Sequence, residues 1–161
     1  LIVPSCSMVS EKRANDILLT ERHLQILWSE QKLFKQLLTT QGEKIEILSS
    51  GIWNKESGPD FLKAHLRIGS REYRGDIEIH LQDEGWYQHG HHRDSKYNQV
   101  ILHISFWCSR LPFLINKENG QQPFCCHLSE QLNISPETLV ALIDLEHYSS
   151  QQFVNTGRCA E

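Results

Sequence analysis

Six residues in one stretch could do chemistry together. Glu78 and His80 are followed by His89, His91, His92 and Asp94, with His103 a little further on. Glu78 and His80 fall in "GDIEIHLQ", where apolar and polar residues alternate as in a strand. Residues two apart on a strand share a face, so these side chains project together, about 7 Å apart by the usual rise. A carboxylate on a sheet face costs free energy unless it is paired or binds a cation. Alternating polar residues on an antiparallel sheet also mark a solvent face, which is the plain alternative here.

Asp60 supplies a second acid. It stands in "GPD", at the mouth of an alternating run over Phe61–Ile68. Gly69-Ser70 reads as a hairpin turn into the strand that carries Glu78. The turn lies nine residues after Asp60 and ten before His80, so the start of one strand faces the end of the next. Asp60 and Glu78 then form an oxygen pair for Mg²⁺ or Mn²⁺. A metal held there lowers the pKa of a bound water and prepares it to attack a phosphodiester. His80 is the candidate to position or deprotonate that water.

The surrounding candidates each have a plainer role. His89, His91 and His92 offer zinc-type nitrogen ligands, or form an ordinary solvated loop. Asp94 belongs to the same loop. His103 interrupts an apolar strand, as a hydrogen-bonded core histidine would. Tyr97 reads as a packing residue that could also stack on a base. Arg93 and Lys96 are candidate phosphate contacts or surface charges. Glu30, on the first helix, points either to the metal or to solvent. Cys125, Cys126 and Cys159 lack a second ligand pair at zinc spacing and read as buried or incidental thiols.

The elements that must position these residues follow from periodicity. Leu24, Leu27, Trp28, Phe34, Leu37 and Leu38 recur at helical spacing over Thr20–Leu38. Lys44–Leu48 reads as a first strand, and the stretch up to Asp60 as loop. Strands follow over Phe61–Ile68, Tyr73–Gln82 and Val100–Trp107. Residues 83–97 make a polar connection, partly helical. Asn119-Gly120 is a turn signal that predicts a hairpin into "PFCCHL". Ser135-Pro136 starts a helix that continues through Leu139, Leu142, Ile143 and Glu146. The expected fold is α/β: a helix, a mixed sheet of about four core strands, then a hairpin and a C-terminal helix.

That order, with Pro59-Asp60 and Glu78-Ile79-His80, resembles the PD-(D/E)XK nuclease core. The resemblance implies a restriction-endonuclease-like fold, magnesium on Asp60 and Glu78, and phosphodiester hydrolysis on DNA or RNA. His80 occupies the position where that superfamily has lysine. A nuclease-shaped scaffold or nucleic-acid-binding module without catalysis is therefore an alternative, and a His-rich zinc hydrolase is another. A second resemblance rests on "GPDF", "GDIEIH", Trp86-Tyr87-x-His89-Gly90-His91-His92-x-Asp94 and Tyr97-x-x-Val100-Ile101-Leu102-His103. Over roughly residues 19–159 the chain resembles an uncharacterised bacterial family, domain of unknown function 2851. Members are generally longer, which implies that this is an N-terminal portion.

The bulk properties bound these readings. The chain has 161 residues, suited to one domain over 16–161 after a loosely ordered stretch at 1–15. A net charge of −4 excludes an extended nucleic-acid coat but leaves room for a local contact. No apolar run is long enough to span a membrane. Five cysteines, an odd number, fit a reducing, cytoplasmic setting better than a disulfide framework. No feature sets the oligomeric state.

Overall fold

The computed structural model describes residues 18–31, 36–109 and 113–148. Phe34, Cys159 and the expected loose stretch at 1–15 lie outside them. The architecture is α/β, dominated by one mixed sheet of seven strands with few helices.

Helix α1 spans Glu21–Glu30. His23 Nδ1 accepts the Thr20 N–H at its start (3.1 Å). The helix buries Leu24, Leu27 and Trp28. It stops at Gln31, whose φ of 59° is left-handed, well short of the expected Leu38. Leu37–Leu38 instead form strand β1, paired antiparallel with β2, Lys44–Ser49. Leucines at helical spacing served a strand because the pairing partner, not the spacing, decides at so short an element.

Two residues of the expected loop, Ile52–Trp53, form β3 and pair with β4, Phe61–Ile68. The Gly69-Ser70 turn joins β4 to β5, Arg71–Gln82, as expected, with Ile68 opposite Arg71. Gly69 takes φ 60°, which a glycine adopts without strain. Strand β4 departs from simple alternation. A bulge between Phe61 and Ala64 places Lys63 at φ 58°, so Phe61 is buried and Leu62 only partly. Asp76 Oδ1 accepts the Lys63 N–H (3.0 Å) and pins the bulge.

Strand β6, Val100–Trp107, runs parallel to β5. A parallel pair needs a long crossover. Here it holds helix α2, Gly85–Gln88, and 3₁₀ turns at His91–Arg93 and Ser95–Gln99. Strand β7, Phe124–His127, is also parallel to β6, so the expected hairpin is absent. Asn119-Gly120 does make a turn, with Gly120 N donating to Lys117 O (2.9 Å), but it lies within the crossover. Helix α3, Pro136–Leu142, begins as expected, with Ser135 Oγ accepting the Thr138 N–H (3.1 Å). Ile143 caps it, and Glu146 lies in the following turn.

The sheet order is β1-β2-β4-β5-β6-β7, and the two ends meet. Thr40 N donates to Cys125 O (2.8 Å). The Gln131 side chain accepts from Leu38 N (2.6 Å) and donates to Leu38 O (3.1 Å). Edge strands that would otherwise template aggregation are thus covered. One sheet face, with Phe61, Ala64, Leu66, Ile77, Ile79, Leu102 and Ile104, packs against Leu24, Leu27 and Trp28. The crossover shields Glu78, His80 and His103 from solvent, and a second cluster of Trp86, Tyr97, Val100 and Ile115 forms there. Cys126 is buried and free, and Cys125 is partly buried and free.

Candidate metal centre

The loop before β4 delivers Asp60. Asn54 N donates to Asp60 O (2.8 Å), and Asn54 Nδ2 to Pro59 O (3.0 Å). Phe61 lies opposite Ile77, so Asp60 meets Glu78 as the hairpin register requires. The contact runs from the Asp60 N–H to Glu78 Oε2 (3.1 Å). Both Asp60 carboxylate oxygens accept hydrogen bonds of their own. Oδ2 accepts from Ile79 N (2.9 Å) and Oδ1 from Gln25 Nε2 (2.8 Å). Asp60 therefore ties α1, β4 and β5 together.

The free oxygen of Glu78 faces the histidines. Oε1 lies 3.0 Å from His91 Nε2 and 3.5 Å from His80 Nε2. His80 Nε2 lies 3.1 Å from His89 Nδ1. Ligand nitrogens of His80, His89 and His91 all lie within 4.8 Å of one another. His91 Nε2 is close to Glu78 but has no hydrogen-bond partner, because the direction is wrong. Close approach without alignment is what groups show when they aim at a shared third point and not at each other. The distance alone would call this an ion pair; the direction argues for convergence.

The crossover builds the walls. His91 stacks on Tyr97, with ring centroids 3.7 Å apart and planes at 24°. Trp86 sits edge-on to both His91 (5.4 Å) and His103 (5.5 Å). Gly85 lies against the His80 ring, where an added Cβ would come within 2.6 Å of Cδ2. His103, opposite Glu78 in the parallel register, places Nε2 2.9 Å from His80 Nδ1. The solvent-face alternative for Glu78 and His80 fails: they are 5% and 1% exposed.

Burial sets the charges. It pushes Glu78 up to about 8, against the Asp60 N–H. Asp60 also rises to about 8, by burial first and the Glu78 charge second. Burial, then the neighbouring His103, His91 and His89, drives His80 down to about 2. Burial lowers His91 and His103 to about 4. Without a metal, burial thus favours the neutral, ligand form of His80, His91 and His103 and the protonated form of the two acids. A cation would displace those protons.

The three nitrogens, with Glu78 Oε1 against two of the rings, suit a borderline ion such as zinc better than magnesium, which prefers oxygen. An ion in such a set can acidify water or polarise an ester oxygen.

The other predicted residues lie around this set. His92 packs on Tyr87 (4.8 Å) and is not in the nitrogen triad. Asp94 Oδ1 accepts the Lys96 N–H (3.0 Å), so it caps a turn. Lys96 Nζ donates to Ser57 Oγ (3.1 Å), and Arg93 is exposed. Glu30 is not brought to the acids; it accepts the Tyr148 hydroxyl (2.9 Å). Sequence reasoning missed Gln25 and Gly85. The only signal for Gln25 was a polar residue bordering the apolar stripe of α1, one turn after Glu21, whose charge acts on both acids. No curated protein and no solved structure matches the chain. A family model does match residues 21–153, and the chain belongs to that family, described as Protein of unknown function (DUF2851).

Proposed function

We propose that the protein is a metal-dependent hydrolase of phosphodiesters in DNA or RNA. His80, His89, His91 and Glu78 form the metal-binding set, and Asp60 orients Glu78. The carrying observation is the convergence of three ring nitrogens within 4.8 Å, with Glu78 Oε1 against two of the rings. The substrate class rests on the order of elements around Asp60 and Glu78, which resembles the PD-(D/E)XK core. Arg93 and Lys96, on the turns beside the centre, are suited to backbone phosphates.

The test begins with metal analysis of the untagged protein after dialysis. Zinc or manganese should be retained stoichiometrically and lost on His91→Ala. Cleavage of plasmid DNA or RNA with that metal should disappear in Glu78→Gln. Cleavage that survives Glu78→Gln sinks the assignment. A folded protein that binds neither metal is instead a scaffold without the chemistry.

The proximity of the two carboxylates, close enough for the Glu78 charge to act on Asp60, supports a second reading, an oxygen-based Mg²⁺ or Mn²⁺ site. It requires Asp60→Asn to abolish metal binding as fully as Glu78→Gln does.

A further inference from the structure

His103 sits mid-strand in β6 with no exposed surface, among apolar neighbours. Leucine would fill such a position without a polar group to satisfy. One of its ring nitrogens is bonded: Nε2, 2.9 Å from His80 Nδ1. The other, Nδ1, is buried with no partner. A contact between two imidazoles needs one N–H and one lone pair. A neutral His80 has a single ring proton to place.

Put on Nε2, that proton points at His89 and Glu78, and no lone pair faces the centre. Put on Nδ1, it is donated to His103, and the Nε2 lone pair joins those of His89 and His91. We infer that His103 is a positioning residue whose Nε2 accepts the Nδ1–H of His80 and turns the His80 Nε2 lone pair toward Glu78, His89 and His91. This rests on the metal-binding reading above. His103 then carries its own proton on Nδ1.

Long-range proton–nitrogen spectra of the zinc-loaded full chain read the tautomer directly. His80 should show a protonated Nδ1 and a metal-bound Nε2. A proton on His80 Nε2 overturns the inference. Chelator competition gives the second readout. His103→Leu should weaken zinc binding roughly 10- to 100-fold, as loss of a partner behind a ligand does. His103→Gln, whose carbonyl can accept the same N–H, should recover most of it. Wild-type affinity in folded His103→Leu overturns the inference while leaving the metal reading intact. Absence of zinc uptake by the wild type sinks both. If His103→Leu does not fold, the wild-type spectrum decides.

Discussion

Glu78 and Asp60 divide the work that the sequence assigned to them as a pair. Each Asp60 oxygen already accepts a donor, one from β5 and one from α1, whereas Glu78 Oε1 faces only imidazoles. Asp60→Asn keeps one acceptor oxygen, so its expected cost is about 1–2 kcal/mol of stability, with zinc affinity within a few-fold of wild type. Glu78→Gln removes the anionic ligand and should weaken zinc binding by roughly 100-fold or more. Urea unfolding and chelator competition on the two variants separate a clamp from a ligand; equal losses of affinity would return Asp60 to the metal. Gly85 gives a sharper case. A methyl there would stand 2.6 Å from His80 Cδ2 and 2.9 Å from His80 Cβ. The ring cannot slide freely, because both its nitrogens are engaged by His103 and His89. Gly85→Ala is expected to cost about 1–3 kcal/mol and to lower zinc affinity with every ligand still present. Unchanged unfolding and binding would mean that α2 moves aside and does not hold the ring.

At the scale of elements, legibility tracked the range of the interaction. The β4–β5 hairpin was readable because alternation and a Gly-Ser turn are local. Its register then placed Asp60 beside Glu78. The nitrogen triad was visible only as a cluster of histidines; which three converge depends on α2 and the 3₁₀ turns folding back over β5. Lys63 hid its bulge, because nothing in its type announces a left-handed backbone. Leu37–Leu38 were misassigned because pairing with Lys44–Ile45, a short turn away, overrides their helical spacing, and Phe124–His127 was given the wrong partner because it pairs parallel with β6 across a crossover and not in a local hairpin. Gln131 shows how such distant pairing is held. Its amide bonds Leu38 N, Leu38 O and His127 O, so one side chain bridges the two ends of the sheet. Gln131→Ala should cost about 1–3 kcal/mol and expose the β1 edge. Lowered urea midpoints with faster amide exchange at Leu38 are the expected signature. A loss of stability without faster exchange at Leu38 would mean that the amide does not guard that edge.

The whole molecule couples the centre to its own stability through protons. A carboxyl whose folded pKa stands above its unfolded value holds its proton more tightly when folded. Stability from Asp60 and Glu78 is therefore present below an unfolded pKa of about 4 and lost as pH rises toward about 8. The depressed imidazoles of His80, His91 and His103 act in the opposite sense. They destabilise the fold as pH falls below an unfolded value of about 6.5, because the unfolded chain then takes up protons that the buried rings refuse. The two trends oppose each other in acid, and above about pH 6.5 only the carboxyls remain. The metal-free protein should thus lose stability between about pH 6.5 and 8, by roughly 2 kcal/mol per pH unit for the two carboxyls together. Metal changes the sign. Ligands need lone pairs and charge, so binding strengthens as the acids ionise, and the stabilisation it adds grows with pH. Urea midpoints measured with chelator should fall across that window, while those measured with saturating zinc should hold level or rise. Parallel curves would mean that zinc binding is not coupled to the protons of Asp60 and Glu78, and a flat chelator curve would mean that those acids are already ionised in the folded chain.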